Sequence, residues 1–320
     1  MMKPAKTVTT DMPADHWVER YVPDALRPYF KLARIDRPIG TWLLLLPAWW
    51  SIVLASPGLH NPYETVTFFV LFGVGAIIMR GAGCTFNDIV DRDFDAQVAR
   101  TRTRPVASGA IPVPRALIFL VLQLLAGLGI LLSFNDFTIA LGAASLVLVF
   151  TYPLMKRITY WPQAFLGITF NWGALLGFAA VTGTLGAEAL ALYAGGFFWT
   201  LGYDTIYAHQ DKEDDVGLGV KSSALRLGEK TRPYLFAFYG LAIAWLALAG
   251  YLAALAWPYF AGLALGLAQL FWQAGKVDLD SSIDCLVKFG SNRNFGWIVL
   301  AGLIAAQLAA PIKGTPYLIP

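Results

Sequence analysis

Nine stretches of this 320-residue chain are apolar for about 17–22 residues at a time, near 39–56, 65–86, 116–133, 136–153, 163–181, 190–208, 233–251, 256–275 and 295–312. A helix needs about that length to cross a hydrocarbon core of roughly 30 Å. Barrel strands are half as long and alternate with period two, which these runs do not. Hydrophobic residues make up 57% of the chain and charged ones 14%, against roughly 45–50% and 25% in soluble domains. Bilayer, not water, is therefore the solvent, and the expected fold is an all-α, polytopic membrane bundle of about nine transmembrane helices. No soluble domain is left over: residues 34–320 read as a single membrane domain behind a lead-in of residues 1–33.

Charge placement orients the bundle. Connections after the second, fourth, sixth and eighth runs hold the basic residues, among them Arg92, Arg100, Arg104, Lys156, Arg157, Lys221 and Lys276. The alternate links SPGLHNPYE, SFNDF and TGTLGAE hold no Lys or Arg. The positive-inside rule then puts the N-terminus and the long loops in the cytosol. The net charge of +3 comes without a basic tract, so no nucleic acid is expected as a partner. Asp11, Asp15, Glu19 and Asp24, with no apolar h-region, make the lead-in unlike a cleaved signal or an acid-poor transit peptide. A bacterial inner membrane is expected before a mitochondrial one. Cys84 and Cys285 have neither metal-ligand spacing nor a disulfide framework.

The polar chemistry lies at two helix ends. After the second run, Asn87, Asp88, Asp91 and Asp95 form N-D-x-x-D-x-x-x-D. At about 100° per residue, the three aspartates share a sector from which Asp93 points away. Carboxylates on one stripe repel one another, a cost that is useful where hard divalent cations bind. Mg²⁺ takes oxygen ligands and is usually shared between one or two carboxylates and substrate phosphates. After the sixth run, Asp204, Asp211 and Asp215 fall at i, i+7 and i+11, again on one face. Both clusters end even-numbered runs, so both lie on the cytosolic side, where they could grip a diphosphate through Mg²⁺ with its lipid-like tail between the helices. Arg100, Arg104 and Lys221 stand beside them to meet phosphate charge. Lys156 and Arg157 suit either phosphate binding or snorkelling.

Arg80 lies inside the second apolar run, where an ionisable group is costly and marks a functional hypothesis. Seven residues before Asn87, it shares that residue's face. It could bind an aromatic acid's carboxylate bidentately or close an internal salt bridge to an aspartate.

AGCTFNDIVDRDFDAQVARTRTRP together with GYDTIYAHQDKEDDVGLGVKSSALRLG resembles the UbiA prenyltransferase superfamily. RIDRPIGTWLLLLP and KRITYWPQAFLGITFNWG are similar to its 4-hydroxybenzoate polyprenyltransferase branch. The resemblance implies transfer of a polyprenyl group from polyprenyl diphosphate to 4-hydroxybenzoate, ortho to the hydroxyl, with Mg²⁺ as cofactor and ubiquinone synthesis as destination. It matches Asn87, Asp91 and Asp95 to the first Mg²⁺/diphosphate motif, Asp211 and Asp215 to the second, and Asp204 to a place near the reacting carbons. The second motif reads D-K-E-D-D, and helix phase favours Asp215 over Asp214. Asp204, Asp91 and Arg80 are the candidate catalytic residues, with Arg80 and Asp204 on the acceptor. Asn87, Arg100, Arg104, Lys156 and Lys221 are candidates for the diphosphate, and Asn87, Asp88, Asp91, Asp95, Asp211 and Asp215 for the metal. Tyr203 or Tyr207 could border the allylic cation, and membrane lipids are the remaining expected partner. The resemblance leaves another aromatic acceptor within the superfamily as the first alternative; two rivals outside it are a secondary transporter, whose site would lie nearer the midplane, and a CDP-alcohol phosphotransferase, whose D-G-x-x-A-R is D-I-V-D-R here.

Overall fold

Apolar runs of this length become helices because a helix satisfies its own backbone where no water can. Their starts carry the expected signals. Asn61, Asn135 and Ser222 accept backbone N–H bonds from Glu64, Thr138 and Leu225, satisfying donors that a helix leaves open at its first turn. A computed structural model describes residues 16–98, 100–212, 217 and 219–309. Two short helices, α1 (Trp17–Tyr21) and α2 (Arg27–Leu32), precede α3 (Ile39–Leu54) and α4 (Pro62–Val90). Then come α5 (Arg92–Asp95), α6 (Val113–Leu131), α7 (Asp136–Thr151), α8 (Met155–Ile158), α9 (Pro162–Phe170) and α10 (Trp172–Thr182). The chain continues with α11 (Ala187–Ala208), α12 (Ser223–Leu227), α13 (Thr231–Leu252), α14 (Trp257–Lys276) and α15 (Ser282–Ala309). No strand occurs among the described residues.

Every one of the nine apolar runs is helical over most of its described length, the fifth split at Asn171 into α9 and α10. Five helical stretches among the described residues are long and apolar enough to cross a membrane: Pro62–Val90, Val113–Leu131, Asp136–Ile158, Pro162–Thr182 and Ser223–Leu252. Ile39–Leu54 is apolar but shorter. α11 and α15 carry polar side chains such as Asp204, Asn292 and Arg293, and α14 is rich in Gly and Gln. The expected count of nine crossings therefore does not follow from length and apolarity.

The molecule is apolar inside and out. Trp50, Trp199, Tyr203, Tyr239, Tyr259 and Phe295 are fully buried in one core shared by α3, α11, α13, α14 and α15. The two indole N–H groups find partners within the bundle: Trp50 Nε1 donates to Gly296 O at 2.9 Å, and Trp199 Nε1 to Asn292 Oδ1 at 2.9 Å. The outward faces of α4 and α6 present Val66, Val70, Val74, Ile77, Ile118, Val121, Leu122 and Leu125. In water such a surface is a liability. With the spans above it makes this an integral membrane protein.

α10 lies along α3 and α4 along α6. Small residues permit the first contact, as they do in membrane helix pairs generally. A Cβ on Gly177 would stand 2.5 Å from the Ala48 carbonyl oxygen, a backbone atom that moves only with its helix. Gly177→Val is expected to destabilise the protein by about 1–3 kcal/mol through overpacking. Thermal unfolding in a single detergent, wild type against variant, checks this; an unchanged midpoint would mean that the helices can separate freely there.

Candidate active site

Four chain segments converge at one end of the bundle: the end of α4 with α5, the turns over 100–111, α8 after α7, and the end of α11 with residues 219–222 before α12. The Lys221 backbone N–H donates to Lys156 O at 2.9 Å, and that of Ser223 to Gln163 Oε1 at 2.9 Å, tying the last segment to α8 and α9. Between them lies a cavity of about 240 Å³. Asn87 and Asp95 enter it from the first acidic cluster and Asp204 from the second. Arg100, Arg104, Lys156 and Lys221 also line it, with Tyr152 and Tyr207. Residues of both acidic helix ends thus meet across one space.

The first cluster is not an open stripe of repelling carboxylates. Asp91 is fully buried, with Lys156 Nζ donating to Oδ2 and Arg157 Nη2 to Oδ1, the latter at 3.2 Å. Arg104 Nη1 reaches both oxygens of Asp95, at 3.1 and 2.9 Å. Burial, reinforced by the neighbouring Asp88 and Asp91 charges, holds the Asp95 carboxyl above its ordinary value even though Arg104 pulls the other way. Asp88 points to a different partner. Its Oδ1 accepts from Arg34 Nη2 at 2.8 Å and lies 3.5 Å from Arg104, while Oδ2 is buried without a partner. Asp93 faces outward and pairs with Arg92, as helix phase implies.

Arg34 was invisible as a site residue. Its backbone is left-handed, at φ 56°, and its side chain is buried. The chain preceding α3 is thereby anchored on the floor of the acidic cluster, with Leu32 packed against Val106, Ile111 and Ala116. Arg34→Ala leaves the Asp88 charge buried and is expected to cost about 2 kcal/mol of stability. A melting curve beside that of an Arg34→Ala/Asp88→Asn double variant checks it, because the second change should restore part of the loss.

Arg80 lies two turns deeper on α4 than Asn87, outside the cavity lining. Its Nη1 donates to Cys84 Sγ and its guanidinium stacks 5.6 Å from the Phe170 ring centroid. Nε is buried without a partner. The alternative of a salt bridge to an aspartate is not what it makes: none of the ion pairs among the described residues includes Arg80. Arg100 Nη1 donates to Tyr207 at 3.2 Å, bridging the turns after the first cluster to α11. Lys221 Nζ donates to Ile158 O and stacks over Tyr160. Asp215 lies outside the described residues, and of Asp211 the backbone alone is described, closing a turn after α11. His209, in the same turn, meets Thr231 at 3.0 Å and is pushed down to about 4 by burial and by nearby Lys212, so it is neutral there.

Comparison with known proteins decides among the readings. The UbiA prenyltransferase family model matches residues 44–299. The chain belongs to the UbiA prenyltransferase family. It is 54% identical over 293 residues to the mitochondrial 4-hydroxybenzoate polyprenyltransferase of Arabidopsis thaliana, covering 91% of this chain and 71% of that one. It is 49% identical to 4-hydroxybenzoate geranyltransferase 2 of Lithospermum erythrorhizon, covering 91% and 94%. A solved UbiA homologue from Archaeoglobus fulgidus, bound to GPP and Mg²⁺, superposes with a TM-score of 0.66 at 18% identity, over 88% of this chain and all of that one. UbiA membership sets aside the transporter and CDP-alcohol phosphotransferase readings.

Does this chain's donor set suit the metal that a UbiA homologue binds? No three acidic, histidine or cysteine side chains converge among the described residues. Even so, the groups facing the cavity, the Asn87 amide and the Asp95 carboxylate, are hard oxygen donors of the kind Mg²⁺ takes. Asp91, one turn away, carries two cations on its carboxylate. The residues fit a hard cation, with basic groups now opposite the carboxylates it would use.

Proposed function

We propose that this UbiA family member transfers a polyprenyl group from polyprenyl diphosphate to 4-hydroxybenzoate, ortho to the hydroxyl, in ubiquinone biosynthesis. The observation that carries this reading is the one cavity receiving Asn87 and Asp95 from one acidic helix end and Asp204 from the other, ringed by Arg100, Arg104, Lys156 and Lys221. The names of the two relatives above support the acceptor. One carries a polyprenyl and the other a geranyl name, so the donor's length is not fixed by the likeness.

Asn87, Asp91 and Asp95, with Asp211 and Asp215, would hold Mg²⁺, which when bound supplies positive charge to the departing diphosphate. Asp88, tied to Arg34, serves the floor of the site in this reading more than the metal. Arg100, Arg104, Lys156 and Lys221 stabilise charge that develops on the leaving oxygen as the allylic C–O bond breaks. The new C–C bond forms at the ring carbon beside the phenol, and that carbon's proton then leaves. Asp204 orients the phenol or takes a proton, Arg80 binds the acceptor's carboxylate, and Tyr207 borders the allylic cation. The apolar surroundings keep water from that cation.

Residues 34–320 act in this reading as one catalytic membrane domain behind the 1–33 lead-in, with the site on the side of the basic loops. The Arabidopsis relative is named as mitochondrial, which favours a mitochondrial inner membrane over the bacterial one expected from the sequence. The test is prenyl transfer in isolated membranes, with radiolabelled 4-hydroxybenzoate, a polyprenyl diphosphate, and Mg²⁺ present or chelated. Labelled lipid that needs Mg²⁺ is the expected product. Product from another aromatic but none from 4-hydroxybenzoate would overturn the acceptor.

A further inference from the structure

A second cavity, of about 470 Å³, lies between α2 and the start of α6 and shares no lining residue with the first. Its volume is within the roughly 300–1,000 Å³ of ligand sites. Leu26, Tyr29 and Phe30 line it from the α2 side. On α6, Arg115, Ile118 and Leu122 line it at i, i+3 and i+7, a single stripe about 10 Å long at 1.5 Å per residue. The stripe is thus hydrocarbon with a cation at one end. Tyr29 meets Phe119 edge-on at 5.2 Å and Leu32 packs with Ala116, contacts that join the two helices. Ile118 and Leu122 stay 62% and 59% exposed, on the same outward face as Val121 and Leu125. The groove therefore opens toward the bilayer. Arg115 is exposed, and its side chain makes no hydrogen bond, ion pair or ring contact among the described residues. Arg27 and Lys31 of α2, by contrast, already pair with Asp24 and Glu19.

We propose that this groove binds an anionic glycerophospholipid, with the phosphate on Arg115 and one acyl chain along Ile118 and Leu122 against the aromatic face of α2. An apolar slot with an unmatched cation at its end, open on its lipid side, is complementary to an amphiphile with a negative head. An occupant that enters from that side is already in the bilayer. Its chain exchanges one apolar medium for another, so selectivity comes from the head group, and one basic residue near a membrane surface favours an anionic lipid by about fivefold. Seated there, the lipid ties α2 to α6 and steadies Arg34, two residues beyond α2, on Asp88. The proposal does not depend on which aromatic acceptor the enzyme uses.

The experiment titrates the full chain, purified in a neutral detergent, with phosphatidylglycerol or with phosphatidylcholine of the same acyl chains, and counts retained lipid by native mass spectrometry. Wild type is compared with Arg115→Gln, with Ile118→Trp, whose indole fills the groove, and with Lys276→Gln, an exposed basic residue at the end of α14 that controls for general surface charge. Wild type is expected to hold its first phosphatidylglycerol about fivefold more tightly than phosphatidylcholine. Arg115→Gln should bring the anionic lipid down to the zwitterionic level, Ile118→Trp should weaken both about tenfold, and Lys276→Gln should change neither. A photo-crosslinking p-benzoylphenylalanine at position 122, activated in native membranes, should capture phospholipid. No preference in wild type, an equal loss in Lys276→Gln, or binding untouched by Arg115→Gln overturns the proposal. Capture at 122 of residues 1–15 of this chain, or of a second copy, overturns it as well. If Ile118→Trp does not fold, Arg115→Gln, a change at an exposed side chain, decides alone.

Discussion

Asp91→Ala is expected to lower kcat/KM for prenyl transfer by about 10³-fold or more, the loss of a metal ligand and of charge placed at the leaving group. Asp91 is fully buried and holds both Lys156 and Arg157. Truncation removes the carboxylate and at the same time frees two cations that the site had placed. Asp91→Asn separates these effects, since it keeps the side chain's shape and gives up its charge. Incorporation of labelled 4-hydroxybenzoate over a Mg²⁺ titration measures both. A variant that retained wild-type turnover and the same Mg²⁺ dependence would remove Asp91 from the metal site.

Asp204→Ala should lower kcat by about 10²–10⁴-fold, the range for a group that moves or orients a proton at the reacting atom. The Mg²⁺ requirement should not change, because Asp204 stands two turns before Asp211 on the α11 side of the cavity. Asp91 and Asp204 thus separate by what each loses: the first loses metal dependence together with rate, the second rate alone. Unchanged turnover in Asp204→Ala would leave the cavity without a group for the phenol and shift attention to Tyr207.

How far the residues alone led can be judged cluster by cluster. Helix phase placed Asp88, Asp91 and Asp95 on one face and turned Asp93 outward, and Asp93 does face outward with Arg92. Phase could not say what each carboxylate touches. Arg34 and Arg157 are 54 and 66 residues from their partners, and nothing local marks an arginine that will fold back across that distance. The only hint was composition: two arginines and an aspartate, R-I-D-R, just before an apolar run. The count of nine spans is not confirmed by length and apolarity, which single out five helical stretches among the described residues. Hydropathy sees side chains one at a time, whereas polar groups on α11 and α15 find partners inside the bundle, as Asn292 Oδ1 does in Trp199. Arg80 was legible as unusual because a charge in an apolar run is rare, but its bed on Gly40 and Phe170 comes from two other helices.

The outward valines, isoleucines and leucines of α4 and α6 have a consequence for any scale of stability. A water-soluble protein ends at its own surface. Here the outer layer of contacts is supplied by whatever acyl chains surround the helices, so the folded object is a composite of polypeptide and amphiphile. A melting temperature read in a short-chain detergent belongs to that pair, and the same sequence in a longer-chain lipid is thermodynamically another substance.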